Sequence, residues 1–504
     1  MSMTRSETTE RAGRKEWIGL AVLSLPTLLI AMDFTALHLA VPALSAELRP
    51  SSTQMLWIVD IYGFLVAGLL VPMGTLGDRI GRRRLLLAGA TAFGAASILA
   101  AFSTSAEMLI VARALLGITG ATLLPSTLAL ITNMFRDPIQ RRLAIAVWSA
   151  NFMIGGVIGP LVGGALLESF WWGAVFLAAV PVMILLLVFG RVVLPEFRSD
   201  AAGRADLGSV AMAMATVLPV VYGIKEIVNH GVSVVALLSV GVGAAAGWAF
   251  VRRQRRLSHP MLDLTLFADR GFSVSLGAQT TGLFVLSAAQ FFVMQYLQLV
   301  IGLSPLRAGI WTIPAMVAGI AGTLVVPTLS RRFSAASLIT VSLATGVLGL
   351  LIVSAAGTAD LGLVVVGFTV LNLAINPAMT LTYDLIIGSA PPERAGTASG
   401  TAETGNELGI ALGVAIAGSI GAAVYRGLVS GDSLPAAAPP EARDTLGSAV
   451  AAAGNLPSGT GAELLAVTRD AFTNGMQVTG IVLAALLAGV TIAVARLLRR
   501  PARV

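Results

Sequence analysis

Apolar residues run along this chain in blocks of about twenty, divided by short polar stretches that carry arginine, glycine or proline. At a rise of 1.5 Å per residue, a helix of that length crosses a hydrocarbon core of roughly 30 Å. The pattern predicts fourteen membrane-crossing helices, near 17–40, 54–75, 85–105, 107–132, 141–167, 172–194, 207–229, 232–251, 272–298, 306–329, 335–355, 361–386, 399–425 and 472–497. One connection is long, at about 427–471, and it is rich in Ala, Gly, Pro and Ser. Within it, PPEARDTLGSAVAAAG and GAELLAVTRDAF each place acidic residues ahead of apolar positions at helical spacing, which predicts two short helices in an external hairpin.

Composition agrees with the pattern. Of 504 residues, 56% are hydrophobic and 12% charged, and the mean hydropathy is +0.86. Soluble domains carry about 25% charged residues, so a string of soluble domains is excluded. The polar N-terminus, with no small-residue cleavage site after a short apolar core, predicts no cleavable signal peptide. There is no cysteine, and the three histidines, His38, His230 and His259, are scattered, so neither thiol chemistry nor a metal site is expected. No glycine–lysine nucleotide loop is present, which argues against ATP as the direct energy source and against an enzyme.

Charge then sets the orientation. Most of the 33 Lys and Arg fall in alternate connections, at 79–84, 136–142, 191–204, 252–256 and 331–332, and at both ends of the chain. The other set of connections holds only Arg49, Arg307, Arg426, Arg443 and Arg469. By the positive-inside rule both termini are cytoplasmic and the hairpin is external. The net charge of +7 is thereby read as topology anchors, not as a nucleic-acid surface.

A faint repeat gives the domain plan. VPMGTLGDRIGRRRLL (71–86) and VPTLSRRFSAASL (326–338) both run from a Val-Pro step through a basic hairpin into a new helix. Matching them makes 1–194 an N-terminal six-helix bundle, 195–270 a two-helix insertion with cytoplasmic linkers, and 271–504 a C-terminal six-helix bundle with the external hairpin. Paired bundles of this kind place their site near mid-membrane between them.

Three motifs carry chemistry. In GTLGDRIGRRRLL, Gly74 and Gly81 allow a tight turn, and Asp78 stands beside Arg79 and Arg82 as a candidate charged latch at the cytoplasmic gate. In GGVIGPLVGG, Gly155, Gly159, Gly163 and Gly164 make a groove for close helix packing, and Pro160 allows a bend. In LIVARALLGITGA, Arg113 lies alone within a span, about 9 Å from its outer end, and Asp33 in MDFTALHLAVPAL lies about 10 Å from the outer end of the first span. The matching depth relates the two, directly or through water; unpaired there, a charge would cost at least about 2.5–3.5 kcal/mol.

These motifs, with WIVDIYGFLVAG (57–68), YGIKE (222–226), HPMLDLTLF (259–267) and YLQLVIGLSPLRAGI (296–310), resemble the major facilitator superfamily, and within it the fourteen-helix drug:proton antiporters. The resemblance covers nearly the whole chain. It implies an all-α polytopic fold in the cytoplasmic membrane and efflux of lipophilic, mainly cationic compounds such as dyes, quaternary ammonium compounds and fluoroquinolones in exchange for protons. It also implies no cofactor beyond the proton-motive force. By position, Asp33 matches the first-helix carboxylate, Asp78 the loop acid, Arg113 the fourth-helix arginine, and Gly159–Pro160 the antiporter signature. FWWGAVF (170–176) departs from the pattern, which often has an arginine between the tryptophans.

Other carboxylates complete the candidate set. Glu403 and Glu407, four apart, share one face of the thirteenth span, with Glu407 roughly 15 Å from its inner end. Asp384 is near the inner end of the twelfth, while Lys225 and Glu226 sit at the outer end of the seventh, where snorkelling accounts for them. A carboxylate in a partly dry cavity can exchange protons in the physiological range, and when ionised it attracts a cation. Proton coupling is therefore assigned to Asp33, Arg113, Glu407 and Glu403. Broad specificity needs aromatic and apolar walls, for which Phe34, Trp57, Tyr62, Trp148, Phe284, Phe291 and Tyr296 are candidates, with Met294 and Met316 as adaptable surface. The expected partners are small lipophilic cations, protons and the lipid bilayer, with the protein acting as a monomer. The rivals are export of an endogenous lipid, metabolite or siderophore by the same fold, uptake by proton symport, and a membrane sensor that binds without transport. The antiporter glycine motif opposes symport, and no output module supports a sensor.

Overall fold

The computed structural model describes residues 12–198, 206–230, 233–257, 260, 262, 264–390, 395–430 and 434–498. A few side chains within helices, Phe34 and Lys225 among them, lie outside the described set. Among the described residues every regular element is helical. The first group comprises α1 (Arg14–Leu48), α2 (Ser52–Ile80), α3 (Arg82–Ala101), α4 (Ala106–Gly120), α5 (Leu123–Met134), α6 (Pro138–Ser169), α7 (Ala174–Leu177) and α8 (Ala179–Val193). A pair follows, α9 (Leu207–His230) and α10 (Val234–Gln254). The remainder are α11 (Arg270–Gln295), α12 (Pro305–Leu329), α13 (Ala335–Ser354), α14 (Leu361–Gly388), α15 (Ala395–Leu412), α16 (Gly418–Leu428), α17 (Leu446–Ala453) and α18 (Ser458–Leu497). Among the described residues, thirteen stretches are long and apolar enough to cross a membrane; the predicted seventh span is α9, whose apolar part, Gly208–Ile224, is shorter.

Local chemistry explains the boundaries. Ser51, Ser105, Ser233, Ser304 and Ser334 cap α2, α4, α10, α12 and α13, each accepting a backbone N–H from the first turn. The predicted fourth span is two helices, with a break at Ala121–Thr122. Pro125 has no N–H to continue the ladder from α4, and it fits the first turn of α5. The predicted thirteenth span bends through a π-turn, Gly413–Ala417, between α15 and α16.

The hairpin differs from the expectation. PPEARDTLGSAVAAAG does form a short 3-10 turn, Pro440–Arg443, and then α17. GAELLAVTRDAF is not a second free helix: it is the start of α18, which runs unbroken for 40 residues. The polar residues that suggested a separate helix, such as Glu463, lie on a stretch that extends beyond the apolar span.

Close packing rests on small residues, as expected where lipid tails give helices no hydrophobic reason to associate. A Cβ at Gly155 would collide with the Leu28 carbonyl, and one at Gly163 would press on Ala36, so α6 lies tightly along α1. Gly117 of α4 sits against the Tyr62 backbone of α2. The pair α9–α10 interlocks through Gly223 and Gly243, each against a backbone carbonyl of the other helix, and leans on α2. The groups α1–α8 and α11–α18 meet along two seams, α6 with α12 and α2 with α15. At the hairpin end the first seam is tight. A Cβ on Gly309 would stand 2.6 Å from the Pro160 oxygen, and one on Gly164 2.6 Å from the Leu306 Cα. There too α17 reaches across, Gly447 packing on Ser45 of α1.

Candidate functional site

Asp33 and Arg113 meet directly. Arg113 Nη1 donates to Asp33 Oδ2 at 3.1 Å, and Nε donates to the Ile58 carbonyl at 3.1 Å. The guanidinium also lies 4.6 Å from the centre of the Tyr62 ring. Both charged residues are buried, at 2% and 8% exposure, so the pairing and the cation–π contact are made with little screening by water. α1, α2 and α4 each supply one part, and the tight α2–α4 approach at Gly117 brings Tyr62 within reach.

Between the two groups of helices lies a cavity of about 260 Å³. Its walls include Ile30 and Ala31 of α1, Tyr62 of α2, Phe152 and Gly156 of α6, and Met316 and Ile320 of α12. Polar groups are few: Ser287 and Gln290 of α11, Asn372 and Asn376 of α14, and one carboxylate, Glu407 of α15. A second, smaller void of about 30 Å³ is lined by His38, Asp60, Tyr62, Arg113 and, again, Glu407. Glu407, Tyr62 and Ile410 thus border both the large cavity and the smaller void that holds the buried charges.

His38 and Asp60 were missed at the sequence level, though both are buried, at 1% and 2% exposure. Asp60 stood in view within WIVDIYGF, at a depth similar to Arg113, and the depth comparison that related Asp33 to Arg113 would have found it. The amides Gln290, Asn372 and Asn376 carried no signal, because a lone amide in a span has no characteristic spacing.

A model of the Major Facilitator Superfamily matches residues 23–414. The chain is 43% identical to the multidrug efflux pump LfrA of Mycolicibacterium smegmatis, over 95% of its own length and 96% of that protein. The chain belongs to the Major Facilitator Superfamily. It is also 34% identical to the methyl viologen resistance protein SmvA of Salmonella typhimurium, over 96% of this chain and all of that one. A tetracenomycin C resistance and export protein of Streptomyces glaucescens is 30% identical over 76% of this chain and 72% of that protein. Among solved structures, a bacterial homologue of the lysosomal transporter Spinster, inward-facing and unoccupied, superposes with a TM-score of 0.71 at 18% identity, covering 98% of this chain and 100% of the other. The protein is a multi-pass membrane transporter of this superfamily, with drug-efflux pumps as relatives, and not an enzyme.

Within the superfamily frame, the remaining predicted residues divide sharply. Glu403 does not line the large cavity; it accepts from Asn406 Nδ2 at 3.3 Å, and Asn406 in turn accepts from Gln279 Nε2 at 2.7 Å. Of the aromatic candidates, Tyr62 lines the cavity. Trp57 packs edge-on against Phe64, and Trp148 donates to Thr127 on α5, both away from it. Phe284 packs against the core, Phe291 stacks edge-on with His38 and Phe292, and Tyr296 donates to the Gly357 carbonyl. The Phe34 side chain lies outside the described residues. Met316 faces the cavity, whereas Met294 is fully buried elsewhere. Phe152 takes the place expected of the other aromatics. In lipid, both faces of a helix are apolar, so hydropathy alone could not sort these rings.

The gate motif folds as a local unit. Asp78 pairs with Arg82 of the next turn, Nη2 to Oδ1 at 2.6 Å, and not with a distant helix. Gly81 adopts φ 111°, a conformation that favours glycine, and Arg79 is exposed. The longer link is Glu196, just past α8: it accepts the Arg83 backbone N–H at 3.0 Å and lies 3.6 and 3.7 Å from the Arg83 and Arg84 side chains. Among the described residues, no group of three or more His, Asp or Glu is placed to hold a metal.

Proposed function

We propose that the protein exports lipophilic cations across the cytoplasmic membrane in exchange for protons, as a monomer working by alternating access between a six-helix N-terminal bundle and a six-helix C-terminal bundle. The observation that carries this is the position of Glu407, shared by an apolar cavity suited to a flat hydrophobic cation and a buried void holding Arg113, Asp60 and His38. When ionised, Glu407 attracts the cation; when protonated, it releases it. Asp33, paired with Arg113, holds the charge balance beside the buried void. Proton and cation then compete for one carboxylate, which is the simplest physical basis of antiport.

The arginine distribution supports a sidedness in which the α6–α12 contacts lie at the external end. The relatives' names support this reading: methyl viologen resistance supports cationic cargo, and multidrug efflux and tetracenomycin C export support a range of organic compounds. The test is ethidium movement in proteoliposomes under an imposed pH gradient. Gradient-driven transport should be lost in Glu407→Gln and Asp33→Asn while ethidium equilibration down its own gradient persists in Asp33→Asn. Undiminished gradient-driven pumping by both variants would remove the proposed coupling.

A further inference from the structure

α15 has two working faces. Glu407 and Ile410 face the large central cavity, and the opposite side of the helix, Thr401, Thr404, Gly405 and Leu408, lines a different one of about 250 Å³. This second cavity lies beside the α2–α15 seam, where α9 packs on α2, and its other walls come from Ala67 and Gly68 of α2, Ala213, Met214 and Thr216 of α9, Phe250 of α10 and Leu276 of α11. Its room comes from small residues, and Met214, a flexible side chain, occupies the space a Cβ on Gly68 would need. Leu262 and Phe267 of the linker after α10 close it at the arginine-rich end, and Leu262 is pinned by its N–H donating to the buried Gln254 Oε1 at 3.1 Å.

The chemistry of the lining selects the occupant. Among the described residues, no charged one borders the cavity. Thr216 and Thr404 already donate their hydroxyls to carbonyls one turn back, Met212 and Gly400, so they are not left seeking a donor's partner. Such walls reward apolar surface and would leave a charge uncompensated. The cavity also sits among helices, at the depth of the membrane leaflet nearest the arginine-rich loops, where the surrounding solvent is hydrocarbon. We propose that it is a binding site for an uncharged hydrocarbon chain, supplied by the acyl tail of a membrane lipid. It is separate from the cation cavity, with α15 as the wall between. An occupant there touches both sides of the α2–α15 seam, and so bears on the helix that carries Glu407.

The experiment is photolabelling of the full chain in vesicles of phosphatidylethanolamine and phosphatidylglycerol doped with phosphatidylcholine carrying an acyl-chain diazirine. Labelled peptides are mapped by mass spectrometry. Label is expected on α9 near Ala213–Val217 and on α15 near Thr401–Leu408, as well as on exposed Val234 and Leu237 of α10. Filling the cavity from opposite walls, with Ala213→Phe and separately Leu408→Phe, should reduce the cavity label at least fivefold and leave the α10 label unchanged. Retained ethidium binding identifies the variants that fold. Label confined to α10, or cavity label indifferent to both variants, overturns the site. Hexadecyltrimethylammonium efflux abolished by both Ala213→Phe and Leu408→Phe, with ethidium efflux kept, overturns the lipid as source and gives the chain site to amphiphilic cargo. Labelling needs no transport, so its result is independent of whether Glu407 couples protons.

Discussion

Arg113 and Asp33, eighty positions apart, form a buried ion pair at 3.1 Å, with the Arg113 guanidinium also set over the Tyr62 ring. Removing one partner of a buried pair costs up to about 3–5 kcal/mol, an upper figure here because Asp60 and Glu407 border the same void as Arg113. Asp33→Asn is therefore expected to lower thermal stability in detergent, and Asp33→Leu combined with Arg113→Met to recover much of the loss. Melting temperatures of the single and double variants check this. A double variant no more stable than the singles would mean that the pair is not an isolated unit.

Glu407 and Glu403 share a helix face but not an environment: the first borders the large cavity, and the second accepts from Asn406 beyond it. Glu407→Gln should weaken ethidium binding at neutral pH about tenfold or more, corresponding to at least about 1.4 kcal/mol. Glu403→Gln should change it by less than about threefold, or under 0.7 kcal/mol by the same relation. Fluorescence titration of the purified protein separates the two; equal losses would place Glu403 in the binding site as well.

Adjacent glycines of the α6 motif should respond in opposite ways. A Cβ at Gly155 meets the Leu28 carbonyl, whereas one at Gly156 has nothing within 4 Å. Gly155→Ala is expected to destabilise by about 1–3 kcal/mol through overpacking. Gly156→Ala should leave stability intact while narrowing the cavity that residue 156 lines. Thermal melts alongside ethidium transport distinguish the two.

At the arginine-rich end, Asp206 accepts from Arg253 at 2.8 Å and from the Ser209 backbone, tying α9 to α10. The hydrogen bond from Arg253 leads the causes that hold its carboxyl down at about 2, below the ordinary 3.8. A depressed carboxylate contributes stability above its unfolded pKa and loses it as pH falls through the folded value. The stability gap between wild type and Asp206→Asn should accordingly be constant from pH 7 to about 5 and shrink between about pH 4 and 2. With Arg253 partly exposed, solvent screening keeps that gap small. Denaturant titrations across this pH range measure it, and a gap that widens on acidification would reverse the assignment.

Several features could be read from one dimension because they are one-dimensional quantities. Block length against bilayer thickness predicts the helices. Depth along a helix related Asp33 to Arg113 because rise per residue is constant. Breaks were less legible: the α4–α5 interruption at Ala121–Thr122 depends on Pro125, whose effect could equally have been absorbed as a kink, as at Pro160 within the continuous α6.

Block lengths and motifs were enough to mark a many-helix membrane transporter of the major facilitator type, with buried charges at a common depth and glycines where helices must touch. Which groups share a cavity depended on how the helices pack. That packing set Glu407 and Tyr62 on the border of two voids, sent Trp57, Trp148 and Tyr296 into packing, brought His38 and Asp60 behind Arg113, and gave Arg83 and Arg84 the partner Glu196. The reason is physical. In water, the polar face of a helix marks its outside, but in lipid the outside and the packed interior are both apolar, so rotation about the helix axis is set by contacts between helices and leaves little trace in hydropathy.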